Sequence, residues 1–219
     1  MAKATPPFKR NKAHTIYKLA DGTRVPGTTT ITSQLDKPQL IAWANRLGLE
    51  GINSMQYRDS MAGVGTLAHA MALSELSGEP LVEDLEEYSP KEISLAENAF
   101  IKFLNWRQAH DFNPVLMEKP LVSELYRYGG TIDSYGILDG KRSLVDLKTG
   151  KGIYPEMVHQ LAAYKQLLEE HGYKVDEVRI VRIGRDESEG FEERIFGGLD
   201  KAWQVFWHLI QIYYLRKGA

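Results

Sequence analysis

The sequence predicts an α/β fold, a mixed central β-sheet flanked by helices, with an N-terminal helical elaboration. Three observations carry this. Between residues 37 and 110 the apolar residues recur at helical spacing. From Val115 onward they follow strand spacing, around a strong hairpin-turn signal at Asp139-Gly140. Helical segments and a further strand then alternate, as expected of helices layered on a sheet.

Residues 1–12 are polar, contain Pro6 and Pro7, and read as loose chain. Residues 14–17, a turn at Asp21-Gly22, and residues 28–32 read as a short β-hairpin. Pro38 suits a first helical position ahead of Leu40, Ile41 and Trp43. A second helix is expected over 64–76, with Val64, Leu67, Ala68 and Met71 on one stripe. Ser89-Pro90-Lys91-Glu92 opens a third: a capping serine, proline next, and a glutamate three residues on to complete the box. That helix runs through Phe100, Phe103, Leu104 and Trp106.

Strands are expected over 115–122, 130–138 and 143–147, then a helix over 155–170 closed by Gly172. A strand over 178–183 and a last amphipathic helix from 199 to about 216 complete the chain. No repeat, low-complexity tract or linker-like stretch interrupts it. The expected organisation is one domain over 1–219, with a helical region at 37–110 and the catalytic sheet and its helices at 111–219.

A chain of 219 residues can bury a sizeable core. The absence of cysteine excludes disulfides, thiolate zinc sites, iron–sulfur clusters and cysteine nucleophiles. The apolar-rich stretch 203–214 is interrupted by Gln204, His208 and Gln211, too polar and too short to cross a bilayer. No membrane association and a cytoplasmic location are therefore expected, with no signal-peptide pattern at the start. The net charge of −2 gives no general support for nucleic-acid binding, so any such chemistry must rest on a local site.

One hairpin offers such a site. If Asp139-Gly140 forms a two-residue turn, Leu138 pairs with Lys141, and the same register brings Asp133 opposite Asp146. Opposed side chains sit about 4.5–5.5 Å apart at Cβ. Side chains alternate along a strand, so Asp146 and Lys148 share a face. Two carboxylates that close repel unless a cation or proton intervenes, which suits a hard divalent metal. Lys148 beside them can offset charge on a phosphorane-like transition state. Read alone, Asp-x-Lys is compatible with an exposed ion pair on a solvated strand, worth little energetically. The flanks oppose that reading: Leu144, Val145 and Leu147 make the strand apolar on both faces, so Asp146 is a buried charge in need of a partner.

Downstream, Gln160 and Tyr164 are four residues apart and share a helix face. Upstream, Gly65 precedes His69 by four residues, and its missing side chain is expected to clear space beside the imidazole. The set Gly65-Thr66-Leu67-Ala68-His69, Gly130-Thr131-Ile132-Asp133, Asp146-Leu147-Lys148-Thr149-Gly150 and Gln160-Leu161-Ala162-Ala163-Tyr164 resembles the PD-(D/E)XK nucleases. More narrowly it resembles their RecB-type exonuclease branch, which shows G-x-x-x-H, G-x-x-D, D-x-K and Q-x-x-x-Y in this order. Residues 25–31, Val-Pro-Gly-Thr-Thr-Thr-Ile, are similar to the N-terminal segment of small stand-alone phage and mitochondrial members.

The resemblance implies a restriction-endonuclease-like core and a Mg²⁺- or Mn²⁺-dependent exodeoxyribonuclease of recombination, repair or phage DNA metabolism. It implies Asp133 and Asp146 as metal ligands, with the Leu147 carbonyl as a third and His69 as a further one. Lys148 would be the catalytic lysine. Gln160 and Tyr164 would contact the DNA backbone or orient the lysine and scissile phosphate. Glu118 stands where relatives often carry a glutamate near a second metal, although Pro120 disturbs the strand there. Linear DNA ends are the implied partner, with room for a single-strand-binding or recombination protein beside them.

Other features are weaker. Tyr126, Arg127, Tyr128, Lys151 and Tyr154 could grip phosphates and stack bases, or be ordinary strand and loop residues. Trp203, Phe206, Trp207 and Ile210 follow helical spacing and read as core. The acidic run Glu83-Asp84-Leu85-Glu86-Glu87 reads as a solvated loop. The competing functions are an endonuclease on the same fold, a nucleic-acid-binding module with a decayed site, and a metal-dependent hydrolase of other substrates.

Overall fold

Residues 15–218 are described by a computed structural model. A five-stranded sheet is the centre of the architecture, its strands lying side by side in chain order. The strands are β3 (Phe112–Ser123), β4 (Tyr128–Leu138), β5 (Lys141–Thr149), β6 (Glu177–Ile183) and β7 (Phe191–Phe196). All neighbours are antiparallel except β5 and β6, which run parallel and are joined over the sheet by helix α5 (Pro155–Glu170). A parallel pair requires such a crossover. The mixed α/β class expected from the periodicities is the fold observed.

Helices cover both faces. On one, α5, the short α1 (Thr28–Thr32) and the last helix α6 (Asp200–Lys217) bury Ile31, Leu161, Tyr164, Leu167 and Phe206 against Tyr128, Ile132, Leu144 and Ile180. On the other, α3 (Ser54–Ser77) and α4 (Pro90–Ala109) bury Leu67, Ala68, Ala99 and Phe103 against Phe112, Leu138, Val145, Leu147 and Val181. Helix α2 (Pro38–Leu49) is held more loosely, with Leu47 its single buried residue. Among the described residues, no helix is long and apolar enough to cross a membrane.

The structure departs from the sequence reading in four places. Residues 28–32 form a helix, not the second strand of a hairpin. The local run of β-branched residues favours a strand, but Thr28, Ile31 and Thr32 at helical spacing are buried, so packing overrides propensity. The hairpin shrinks to β1 (Tyr17–Lys18) and β2 (Arg24–Val25) around the turn at Gly22. Helix α3 begins ten residues before the expected start, capped by the Asn53 side chain accepting from the Met55 and Gln56 amides. Strand β7 was not expected. Its sequence, Phe-Glu-Glu-Arg-Ile-Phe, is an edge strand held partly by charge, with Glu193 taking Arg179 and Glu192 taking Arg182 from β6. The expectation that residues 1–12 are loose lies outside the described residues.

The capping box at α4 forms as read: Ser89 Oγ accepts from the Glu92 amide, and the Glu92 carboxylate accepts from the Ser89 amide. Because α4 packs with α3 over one face of the sheet, losing the cap is felt beyond the helix itself. Ser89→Ala should lower the free energy of unfolding by about 1 kcal/mol in urea titration. An unchanged midpoint would mean that the cap contributes nothing.

Candidate active site

The turn at Asp139-Gly140 sets the register read from the sequence, from Leu138↔Lys141 through Ser134↔Val145. The ladder stops there, one pair short of Asp133 and Asp146. On the other side of β4, Met117↔Ser134 and Lys119↔Ile132 bracket Glu118 and Asp133. Glu118, Asp133 and Asp146 thus stand in one row across three adjacent strands, at which neither ladder has a backbone pair.

The irregularity has a visible cause in the packing. Tyr128 and Ile132 face the α5–α6 cluster, and so does Tyr135, only three residues after Ile132. Strict alternation would turn Tyr135 to the opposite face, so the alternation of β4 breaks between Ile132 and Tyr135. Strand β3 shifts register between Pro114 and Leu116, and Glu118 adopts a left-handed φ of 44°. Such a backbone costs a non-glycine residue about 1–2 kcal/mol. The disturbance expected near Pro120 falls at Glu118.

Leu144 packs toward α5 while Val145 and Leu147 pack beneath α3 and α4, so Asp146 and Lys148 share the α5 face. Asp146 is completely buried. Lys148 Nζ lies 2.6 Å from its Oδ2, and its Oδ1 has no donor among the described residues. Burial pushes the Asp146 carboxyl up to about 6; Lys148 opposes that shift, and the charge of Asp133 adds to it. For Lys148, burial lowers the ammonium pKa, but Asp146 and Asp133 outweigh it and the net shift is upward. The lysine therefore stays a cation.

Asp133 is held from the neighbouring strand: the Leu147 amide donates to its Oδ2 at 3.0 Å. The imidazole of His69 donates from Nε2 to the Leu147 carbonyl oxygen at 2.8 Å, and its Nδ1 lies 3.9 Å from Asp133 Oδ2. Ligand atoms of His69, Glu118 and Asp133 all lie within 4.8 Å of one another. Asp146 stands outside that triad, paired with the lysine instead.

The glycines of the motifs permit close approach. A Cβ on Gly65 would lie 2.7 Å from Thr149 Oγ1. Gly65 thus brings α3 onto the end of β5, which delivers His69 one turn later; the space it clears belongs to Thr149, not to the imidazole as expected. A Cβ on Gly130 would meet the Tyr164 ring at 2.6 Å. Gln160 Nε2 donates to the Tyr164 hydroxyl at 2.6 Å, which directs the hydroxyl proton elsewhere. Burial, then the charges of Asp133 and Asp146, hold that phenol well above 10. The structure thus gathers His69, Glu118, Asp133 and the Leu147 carbonyl in one group. It places Asp146 with Lys148, and Gln160 with Tyr164, beside that group.

Two aromatic candidates are core. Tyr126 packs edge-on against Trp203 and Trp207, and Tyr128 is fully buried with its hydroxyl on the Ala163 carbonyl. Trp203 and Phe206 pack in the same cluster, as expected. Tyr154 remains half exposed. A supporting residue that the sequence reading missed is Arg182. It is level with Lys148 across β5–β6 and nearly buried. Its Nη1 donates to Gly150 O at 2.9 Å and Glu189 O at 2.5 Å, fixing the turn that follows the lysine. Its only sequence signal is an arginine inside an apolar strand.

No family model matches the sequence, and no curated protein is similar to it. Nineteen solved chains are similar in structure. Among them is the crystal structure of a protein named "putative exonuclease" from Eubacterium rectale, at 16% identity and a TM-score of 0.48. The similarity covers 70% of this chain and 65% of that one.

Replacing Lys148 tests the buried pair. With divalent ions chelated, Lys148→Met leaves the Asp146 carboxylate buried without its cation, and stability at pH 8 should fall by about 3 kcal/mol. The folded-state pKa of Asp146 is raised, to about 6 with the lysine present and higher without it. Stability from such a group is present below the unfolded pKa and lost as pH rises through the folded one. The deficit should therefore narrow between pH 8 and pH 5 as the carboxyl takes up a proton. An equal deficit at both pH values would contradict the burial of a charged Asp146.

Proposed function

We propose that the protein is a metal-dependent nuclease that hydrolyses DNA phosphodiester bonds, acting as an exonuclease from DNA ends. The observation that carries this is the row of Glu118, Asp133 and Asp146 across three strands, with His69 against it and Lys148 half-buried beside it. The donor set fits a metal: hard carboxylate oxygens and a backbone carbonyl suit magnesium or manganese, and an imidazole favours the transition metal. The buried Oδ1 of Asp146, without a donor among the described residues, fits the same reading, since buried charges are paired or coordinate metals. His69, Glu118, Asp133, Asp146 and the Leu147 carbonyl would hold the ion or ions.

A metal bound there supplies Lewis acidity and a more acidic water. The remaining chemistry belongs to the chain. Lys148, kept protonated by its two carboxylate neighbours, offsets charge that develops on the phosphoryl oxygens. Tyr164, held by Gln160, offers its hydroxyl proton to a phosphate oxygen and orients the strand. Arg182 keeps the lysine's strand end in place. These groups address phosphate and metal, and phosphate contacts position a strand without reading its sequence. That supports cutting without sequence preference. The RecB-type resemblance of Gln160 and Tyr164 supports cutting from ends, on a restriction-endonuclease-like core.

The test compares end-labelled linear DNA with covalently closed circles in magnesium, manganese and chelator. Linear DNA should disappear with either ion, manganese working at least as well, while circles persist. Asp146→Asn and Lys148→Ala should each reduce the rate by about 100-fold or more. Full activity in chelator would end the metal mechanism. Circles cut as fast as linear DNA would replace the exonuclease reading with an endonuclease on the same fold.

A further inference from the structure

Strand β7 ends one side of the sheet, and among the described residues it pairs with β6 alone. One hydrogen bond fixes which of its backbone groups face outward. The Gly184 amide, just past β6, donates to the Gly190 carbonyl oxygen at 2.9 Å, so that carbonyl points toward β6. No peptide bond of the described chain is cis, and across a trans peptide the N–H points opposite to the C=O. The Phe191 amide therefore points away from β6. The β6–β7 register is regular, so Glu193 and Ile195 point outward as Phe191 does. Among the described residues, the backbone groups of these three make no hydrogen bond on that side.

The side chains along this edge complement a copy of themselves. Outward residues pair only with outward residues, so an antiparallel second β7 must match Phe191, Glu193 and Ile195 among themselves. Centred on Glu193, the pairing sets Phe191 against Ile195 twice and Glu192 against Arg194 twice. Phe191 and Ile195 are 45% and 52% exposed, apolar side chains on an open edge. Arg194 is exposed, and its guanidinium pairs with Glu192 of its own strand. Glu193 at the centre meets its own copy, but its charge is already taken up by Arg179 Nη1 at 2.7 Å and Trp106 Nε1 at 2.8 Å. Shifted by two residues either way, Glu192 meets Glu192 or Arg194 meets Arg194. Opposite charges and apolar pairs across strands stabilise, and like charges repel. Charge on an edge strand often guards against pairing. Here the mixed signs exclude the shifted registers and favour the centred one.

We propose that β7 is the contact of a two-fold dimer, in which a second copy of this chain adds its own β7 antiparallel and the two sheets become one of ten strands. Each outward pair exchanges two backbone hydrogen bonds: Phe191 with Ile195, Glu193 with Glu193, and Ile195 with Phe191. The contact uses the same patch on both copies and closes on itself, so assembly stops at two. The two-fold axis passes through Glu193, perpendicular to the sheet, and puts the α5 faces of both copies on the same side. The acids on β3, β4 and β5 stay two or more strands from the contact, so both sites remain open. The dimer does not depend on the nuclease reading. A contact of six-residue strands is small, which places association in the micromolar range.

The test is sedimentation equilibrium of the full chain at about 1 to 200 µM, over which its mass should rise from one chain toward two. Arg194→Glu sets acid against acid at both Glu192 pairs and should weaken the dimer by about tenfold or more. Ile195→Pro removes an outward N–H that the single chain does not use, a position where edge strands accept proline. It deletes two of the bonds between copies and should weaken the dimer by about thirtyfold. Melting curves at the dilute end check that each variant folds; if one does not, the other decides. Ile41→Glu, on the exposed face of α2, is the control and should leave association unchanged. A natural chain of one mass throughout the series would overturn the proposal, as would a mass that climbs past two chains. Dimers undiminished in the folded β7 variants, or lost in Ile41→Glu alone, would place the contact elsewhere and overturn it too.

Discussion

A carboxylate buried beside a second acid, with one lysine as its near cation, is the constraint on which the rest of this structure depends. Asp146 is wholly enclosed, with Lys148 as its near cation and Asp133 as its near repulsion. Burying charge is expensive, and replacing such a pair by packed apolar residues is often neutral or stabilising. A structure that keeps it is giving up stability at that place, and strongly perturbed groups of this kind cluster at functional sites.

Much of the surrounding architecture serves the row of acids. Neither ladder of β4 has a pair at Asp133, and Glu118 takes a left-handed backbone at the same level. Irregular backbone of this kind re-aims side chains next to active sites. Rigid elements hold the irregularity in place. β6 is buried along its whole length, α3 docks on β5 through Gly65 and Thr149, and Arg182 ties Gly150 to the Glu189 carbonyl. The row is thus carried by well-packed strands rather than by loops, which keeps its side chains close to one geometry.

The sequence was most legible where a local signal coincided with a global one. Asp139-Gly140 set the hairpin register, and the apolar flanks of Asp146 correctly marked it as buried. Gly130 and Gly65 stood at true close contacts, although the neighbour of Gly65 is Thr149. Legibility failed where tertiary packing decided. Thr28 to Thr32 reads as strand locally, and only the burial of Ile31 between α5 and α6 makes it a helix. The charged β7 carries no alternation strong enough to mark an edge strand, since its partners Arg179 and Arg182 lie on β6. Pairing by register put Asp133 opposite Asp146, but periodicity cannot reveal where a ladder ends. The β4–β5 ladder ends one pair earlier, and the tight cluster is His69, Glu118 and Asp133, with Asp146 turned to Lys148. Arg182 was invisible as a support because a buried arginine in a strand has no motif.

The central claim is that the row of acids is a metal site, and manganese binding measured directly tests it without reference to any substrate. Titration by calorimetry or electron paramagnetic resonance should show saturable binding of Mn²⁺ to the natural chain. A matching rise in melting temperature should follow, because a ligand that binds only the folded state stabilises it by about 2.7 kcal/mol at a hundred times its Kd. Asp133→Ala removes the carboxylate that His69 and Glu118 surround, and should weaken binding by about tenfold or more and abolish most of the thermal shift. Equal Mn²⁺ affinity and equal thermal shift in the natural chain and in Asp133→Ala would contradict the account.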